Sequence, residues 1–157
     1  MILYNLVGPL VLCLGVAALL YIVPWSRIRE LGWLGMIGGF GIALLMIGFM
    51  QNLSGYWLFH QVDLVDFYHI PLALSLTWSP LIIIFGHLMT FYRHPGIRIG
   101  ILAIFPAGAT FFHFLLIKGG FLTYHYWNLF DTFLLSLAIH IVIAGYLLLI
   151  HAAKSRI

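Results

Sequence analysis

Apolar residues run along the chain in five long blocks, separated by short groups of polar and basic residues. The blocks cover about 3–25, 31–53, 69–92, 99–117 and 127–150. Each approaches or exceeds the ~20 residues that an α-helix needs to cross a bilayer. The pattern predicts an all-α integral membrane protein, a five-transmembrane-helix bundle forming a single domain over residues 1–157. The alternative for the first block is a cleaved signal peptide. That block has no basic leader and places Pro24 and Trp25 where small cleavage-site residues belong, so it is read as a span.

Composition agrees with the pattern. Hydrophobic residues make up 64% of the chain and charged residues 7%, against roughly 25% charged in a soluble domain. Cys13 is the only cysteine, which excludes an intrachain disulfide and any cysteine-based metal framework. Charge placement gives a direction. Arg27 and Arg29 follow span 1, Arg93 and Arg98 separate spans 3 and 4, and Lys154 and Arg156 close the chain. Five spans put these three groups on one side and leave Lys118 on the other. The positive-inside rule then predicts an outer N-terminus and a cytoplasmic C-terminus. Asp63, Asp66 and Asp131 fall on the outer side and Glu30 on the inner. The basic balance therefore reflects topology, and no nucleic-acid partner is expected. His151 and Lys154 are expected to meet lipid headgroups.

The connection "SGYWLFHQVDLVDFY" (54–68) is too apolar for a free loop and too polar for a core span. Its aromatic rings suit the headgroup boundary. It is expected to lie along the interface or to extend span 3 outward as helix. It also has an echo. "GYWLFHQVDLVDF" (55–67) and "GFLTYHYWNLFDT" (120–132) share Gly-aromatic-x-x-aromatic-His-x-x-Asp/Asn-Leu-x-Asp, 65 residues apart throughout. The same offset relates Gly35 to Gly100, Phe40 to Phe105, Leu72 to Leu137 and Ala73 to Ala138. Spans 2–3 and 4–5 therefore read as a tandem parallel repeat of helix hairpins, related by an axis along the membrane normal. On that reading His60 pairs with His125, Asp63 with Asn128 and Asp66 with Asp131, gathered at the outer mouth.

The repeated His-x-x-Asp/Asn-x-x-Asp brings imidazole and carboxylate to one helix face. Such groups ligate divalent metals or act as a general acid/base pair. Asp66, Asp131 and His125 are the acid/base candidates, and no particular metal or cofactor is implied. The ligand-binding candidates are Tyr56, Trp57, His60, Asp63, His69, His113, Tyr124, Trp127, Asn128 and His140. The plainer alternative is a hydrated rim whose polar residues anchor helix ends. Deeper in the membrane, span 5 carries Asn128, Thr132, Ser136 and His140 at steps of four, span 4 carries Pro106, Thr110 and His113, and span 3 carries His69, Pro80 and His87. Polar residues within spans face a bundle interior or a wet cavity, or simply join neighbouring helices. Two histidines at one depth could ligate a haem, as His69 with His113 or His60 with His125. On span 2, Gly32, Gly35 and Gly39 form a close-packing face for a partner helix.

The segments "WSPLIIIFGHLMTFYRHPG" (78–96) and "GGFLTYHYWNLFDTFLLS" (119–136) resemble a family of small multi-span membrane proteins from Gram-positive, largely spore-forming bacteria. The shared features are a proline-bearing span ending in a short basic-or-proline turn, then a span leading to Gly, Tyr and Trp-Asn before the last helix. The resemblance implies a multi-pass bacterial plasma-membrane protein and assigns no activity. Three functional classes fit the residues. The first is a small-molecule or lipid-binding membrane protein. The second is a membrane enzyme acting on a lipid or isoprenoid substrate, and the third an accessory subunit of a membrane complex. A bis-histidine haem redox protein is a fourth reading.

Overall fold

The computed structural model describes residues 4–154. Arg156 and the first residue of span 1 lie outside the described residues, as do the side chains of His151 and Lys154. The chain is mostly helical: α1 is Val7–Ile22, α2 Trp25–Leu53, α3 Leu72–Phe91, α4 Pro95–Lys118 and α5 Leu129–Lys154. Helices α2 to α5 are each long and apolar enough to cross a membrane. With 16 residues, α1 reaches about 24 Å at 1.5 Å per residue. Three helices start at prolines. Pro24 and Pro71 are the N-caps of α2 and α3, and Pro95 lies in the first turn of α4. There the missing N–H costs no hydrogen bond and the fixed φ favours the helix. These prolines move the start of α2 from residue 31 to Trp25 and the start of α3 from 69 to Leu72.

Helices pair as two antiparallel hairpins, α2 against α3 and α4 against α5, with α3 also touching α1, α4 and α5. Arg27 ties the basic ends of α2 and α3 together. Its Nη2 donates to Thr90 Oγ1 at 2.7 Å, while Nη1 pairs with Glu30. The glycine face of span 2 is used inside this chain. A Cβ at Gly39 would sit 2.6 Å from the Trp78 carbonyl oxygen, and one at Gly35 2.7 Å from Ile83. Both glycines therefore serve contact with α3, whereas Gly32 has open space beside it. Two π-helical stretches, Gly35–Gly41 and Phe49–Leu53, widen the turns of α2 and shift its face, which brings Gly38 into the buried set. Leu14, Tyr21, Leu45, Ile104, Val142 and Leu149 lie on the outside with more than half their surface exposed, as lipid contact requires.

The connections at the other end are not helical. Strand β1 (Trp57–Phe59) pairs antiparallel with β4 (Leu122–Tyr124), placing Trp57 opposite Tyr124, Leu58 opposite Thr123 and Phe59 opposite Leu122. Leu58 and Thr123 are themselves 65 residues apart, so a local twofold axis passes between them. The ribbon obeys it. His60 N–H donates to the Phe121 carbonyl at 2.9 Å, and its image, His125 N–H to the Tyr56 carbonyl, is also 2.9 Å. Gly55 and Gly120 both have positive φ (67° and 75°), as do Gln61 and Tyr126 (48° and 53°). Helices α2 and α4 end at Leu53 and Lys118, again 65 apart. Left-handed residues at these positions break any helix, which is why 54–68 is not the helical extension expected from its composition.

Symmetry stops after Tyr126. The second copy enters α5 at once, with Asn128 Oδ1 accepting from the Phe130 and Asp131 N–H groups and Asp131 Oδ2 accepting from Asn128 N–H. This reciprocal arrangement is a capping box. The first copy instead makes a small hairpin, β2 (Asp66–Phe67) with β3 (Ile70–Pro71), before α3. Asp63 folds back beneath it and its Oδ2 accepts from Leu74 N–H at 2.9 Å. Asp63 and Asn128 thus share a role, capping α3 and α5, while Asp66 and Asp131 do not correspond.

Substituting Gly39 by Ala forces its methyl against the α3 backbone and is expected to cost about 1–3 kcal/mol. Gly32→Ala is expected to be neutral or stabilising by about 0.5–1 kcal/mol. Unfolding in detergent micelles measures both, and an equal effect would contradict the packing described.

Candidate functional site

The residues expected at one outer mouth separate into three places. The ribbon sends His60 and His125 to its opposite ends, one beside Phe121 and the other beside Tyr56. Four residues of strand separate them, about 13 Å at 3.3 Å per residue. An antiparallel pair centred on the twofold axis must do this, so the His60–His125 pairing expected from the repeat does not form. His60 Nε2 bonds Thr123 Oγ1 at 2.9 Å, and the His125 side chain is exposed. Tyr56 stacks on Trp127 across the two copies, with ring centroids 5.5 Å apart.

The second place is a polar surface hollow lined by Phe59, His60, Gln61, Val62, Asp66 and His69. Partial burial raises the Asp66 carboxyl above its ordinary 3.8; the Asp63 carboxylate adds to this and His69 opposes it. Asp131, capping α5, takes no part in this hollow, so the two acid/base candidates do not meet. His69 sits in the β2–β3 turn, away from buried His113. No cluster of three or more His, Cys, Asp or Glu able to hold a metal occurs among the described residues.

The third place is internal. Near the basic end α2 and α5 touch, with the Trp33 and Tyr146 rings 5.5 Å apart and Ile143 Cδ1 3.8 Å from the position of a Cβ at Gly38. Towards the ribbon the two helices are separated by a cavity of about 70 Å³. Its back wall comes from α3 and α4, its sides from α2 and α5, and its roof is Trp57 and Phe59 of β1. His113, Thr132, Ser136 and His140 are among its polar lining groups. Most of the span 5 stripe read from the sequence thus faces one space. The span 3 stripe does not: Pro80 packs on Gly15, and His87 lies beside Phe91 with its Nδ1 unpartnered among the described residues.

Each polar group has a fixed setting. Trp127 Nε1 donates to Thr132 Oγ1 at 2.9 Å, and Thr132 Oγ1 donates to the Asn128 carbonyl at 3.3 Å. In that arrangement Tyr124 donates to Thr132 and His113 Nδ1 donates to Tyr124, both at 2.6 Å. Burial, against the pull of Thr132 and with some help from the Asp131 charge, pushes the Tyr124 phenol up to about 12. It remains a neutral donor at any physiological pH. Two turns further along α5, His140 Nδ1 donates to the Ser136 carbonyl at 2.7 Å. The His140 ring rests edge-on against Phe85, 4.8 Å between centroids. A neutral imidazole with a protonated Nδ1 carries its lone pair on Nε2. His113 and His140 stand about 12 Å apart in depth, at 1.5 Å per residue between Thr132 and His140.

Trp57 differs from these. It is 5% exposed, its ring lies 4.9 Å from that of His113, and its Nε1 is buried with no hydrogen-bond partner among the described residues. In the sequence this tryptophan is both a ligand-binding candidate and one of the aromatic residues suited to the headgroup boundary. The pairing with β4 turns it inward instead. Phe59 and Trp78, also on the cavity wall, had no distinguishing signal in the sequence, whereas Thr132 and Ser136 were marked by their four-residue steps.

No protein family, no curated protein and no solved structure matches the chain, so the resemblance carried by residues 78–96 and 119–136 stands on those segments alone.

Because folding favours the neutral Asp66 carboxyl, its contribution to stability is fully present below its ordinary value of 3.8. That contribution is lost as pH rises through the raised folded-state value. Asp66→Asn is therefore expected to melt higher than wild type at pH 7. The gap should close as pH falls below about 4, and thermal unfolding across that range measures it.

Proposed function

We propose that this chain is a five-span membrane protein with an outer N-terminus that binds a small apolar or amphiphilic molecule in the cavity beneath the β1–β4 ribbon. Several features support the membrane arrangement. α1 runs parallel to α3, with Gly8 beside Leu74 and Gly15 beside Pro80, so it begins at the ribbon end. Preceding residues from Tyr4 lengthen it as a short turn of helix. Arg27, Arg29, Arg93 and Arg98 lie at the opposite end, around the starts of α2 and α4, and such clustering favours the cytoplasmic face. The 65-residue correspondence of the ribbon supports an internal duplication, with α1 as an addition.

The binding role rests on the unpartnered Trp57 Nε1. Burying a donor without a partner costs about 1–3 kcal/mol, and Trp57 lines an apolar cavity that His113 and His140 also line. Ligand pockets have this character, mostly apolar walls with a few fixed polar groups. An occupant offering an acceptor would remove the cost. The arrangement moves the site inward from the hydrated rim, so that Asp63, Asn128 and Asp131 position helices and Trp57, His113 and His140 face the occupant.

Native mass spectrometry of protein purified in mild detergent tests the proposal. Wild type is expected to carry a bound small molecule, and Trp57→Phe and the cavity-filling Ala43→Leu are expected to lose most of it. Equal retention by all three folded proteins, or an empty wild type, would overturn the binding role. Orientation has its own test: alkaline phosphatase fused to the C-terminus is expected to be inactive and a fluorescent protein there to fluoresce. An active phosphatase would reverse the topology.

A further inference from the structure

The geometry points to an occupant of a particular class, an uncharged lipid with a hydrogen-bond-accepting oxygen at its head, which enters sideways from the bilayer between α2 and α5. This inference rests on the binding role proposed above and specifies its ligand and path.

The class follows from the walls. No Asp, Glu, Lys or Arg lines the cavity, so a phosphate or carboxylate drawn into it would lack a counter-charge, which low-dielectric surroundings penalise heavily. The indole N–H of Trp57 donates and cannot accept, so the group placed against it must be an acceptor. With Nδ1 of His140 committed to the Ser136 carbonyl, the free nitrogen of that ring is itself an acceptor. A hydroxyl satisfies either wall, accepting from Trp57 or donating to His140. A neutral alcohol or glyceride head fits these constraints, and a zwitterionic or anionic head does not.

The path follows from where the cavity is thin. Of the wall residues on α3 and α4, Leu74, Ile82 and Leu116 are buried, and the partly exposed Trp78 and Phe112 face the groove beside α1. Those on α2 and α5 that face one another, Ile42, Met46, Leu135 and Ile139, are partly exposed. They line the cavity and also reach the outer surface, so they border a seam that is closed at the basic end by Trp33 and Tyr146. A volume of about 70 Å³ is far below the ~300–1,000 Å³ of pockets that enclose a drug-sized ligand. It admits a head and the first carbons of a chain, and the remaining tail must lie in the seam among lipid. Twofold symmetry places a matching groove between α3 and α4, and one is present there, but α1 lies against it through Val11.

Photolabelling separates the possibilities. The full chain, reconstituted into phosphatidylcholine vesicles at pH 8, is irradiated with a diazirine-bearing hexadecanol or with the matching hexadecanoic acid, and labelled peptides are mapped. The alcohol is expected to label Met46, Leu135 and Ile139, and the acid to label only outward-facing residues. Trp57→Phe is expected to reduce cavity labelling by the alcohol at least about fivefold, the factor for losing one neutral hydrogen bond of about 1 kcal/mol. Leu135→Trp, which narrows the seam and leaves the roof intact, is expected to reduce it similarly. Equal cavity labelling by acid and alcohol would overturn the neutral head. Undiminished labelling in Leu135→Trp, or labelling centred on Val11 and Leu81 in the groove beside α1, would overturn the seam. If wild type retains a bound molecule in the mass spectrum while neither probe labels the cavity, the lipid class is wrong and the binding role survives. An empty wild type removes both.

Discussion

Two backbone hydrogen bonds hold this molecule in register: His60 N–H to the Phe121 carbonyl, and His125 N–H to the Tyr56 carbonyl. Next to a bilayer, a connection that is neither helical nor fully hydrated must find partners for its main-chain groups. Here each hairpin's ribbon-end connection supplies the partner of the other. Everything at the ribbon end depends on that exchange. It turns Trp57 and Leu122 inward together, both buried at matching positions of the two copies. It sets Tyr56 over Trp127 and delivers Tyr124 to His113 and Thr132.

Below the ribbon a different constraint governs. Hydrocarbon offers no advantage to burying one apolar side chain over another, so helices associate through close fit and a few polar bonds. Gly35 and Gly39 allow α3 to lie almost on the α2 backbone, and Gly15 accepts the ring of Pro80. The α2–α5 boundary has no equivalent close fit at the ribbon end. Gly35 and Gly39 are directed at α3, leaving Ile42 and Met46 to face α5 across a gap.

Much of this was legible along the chain, for reasons that can be named. A bilayer imposes a length on apolar segments, so α2 to α5 stood out, and scarce residues make coincidences visible. Gly55 and Gly120, and His60 and His125, revealed the 65-residue correspondence that the ribbon later displays in its φ values and hydrogen bonds. The consequences of that correspondence were hidden, because strand pairing is non-local. A repeat by itself does not say whether its copies meet side by side or cross, and crossing sends the two histidines apart. The left-handed backbone at Gln61, Tyr68 and His69 has no glycine to announce it, so the β2–β3 hairpin read as helix or interface. Asp63 and Asp131 looked like chemistry because their spacing from His60 and His125 would bring imidazole and carboxylate to one helix face. Both are occupied in capping helices, and capping by Asp63 spans 11 residues of chain, beyond the reach of any local motif.

The ribbon also orders events in time. β1 has no partner until β4, 65 residues later in the chain, has left the ribosome, which at ~5–20 residues per second takes roughly 3–13 s. During that interval the first hairpin has its ribbon-end connection unpaired and the face of α2 uncovered. The cavity is roofed only when both hairpins are inserted, so its closing bonds are among the last the molecule makes. A chain truncated before Leu122 has no means of closing it, and Trp57 would be left without the strand that turns it inward.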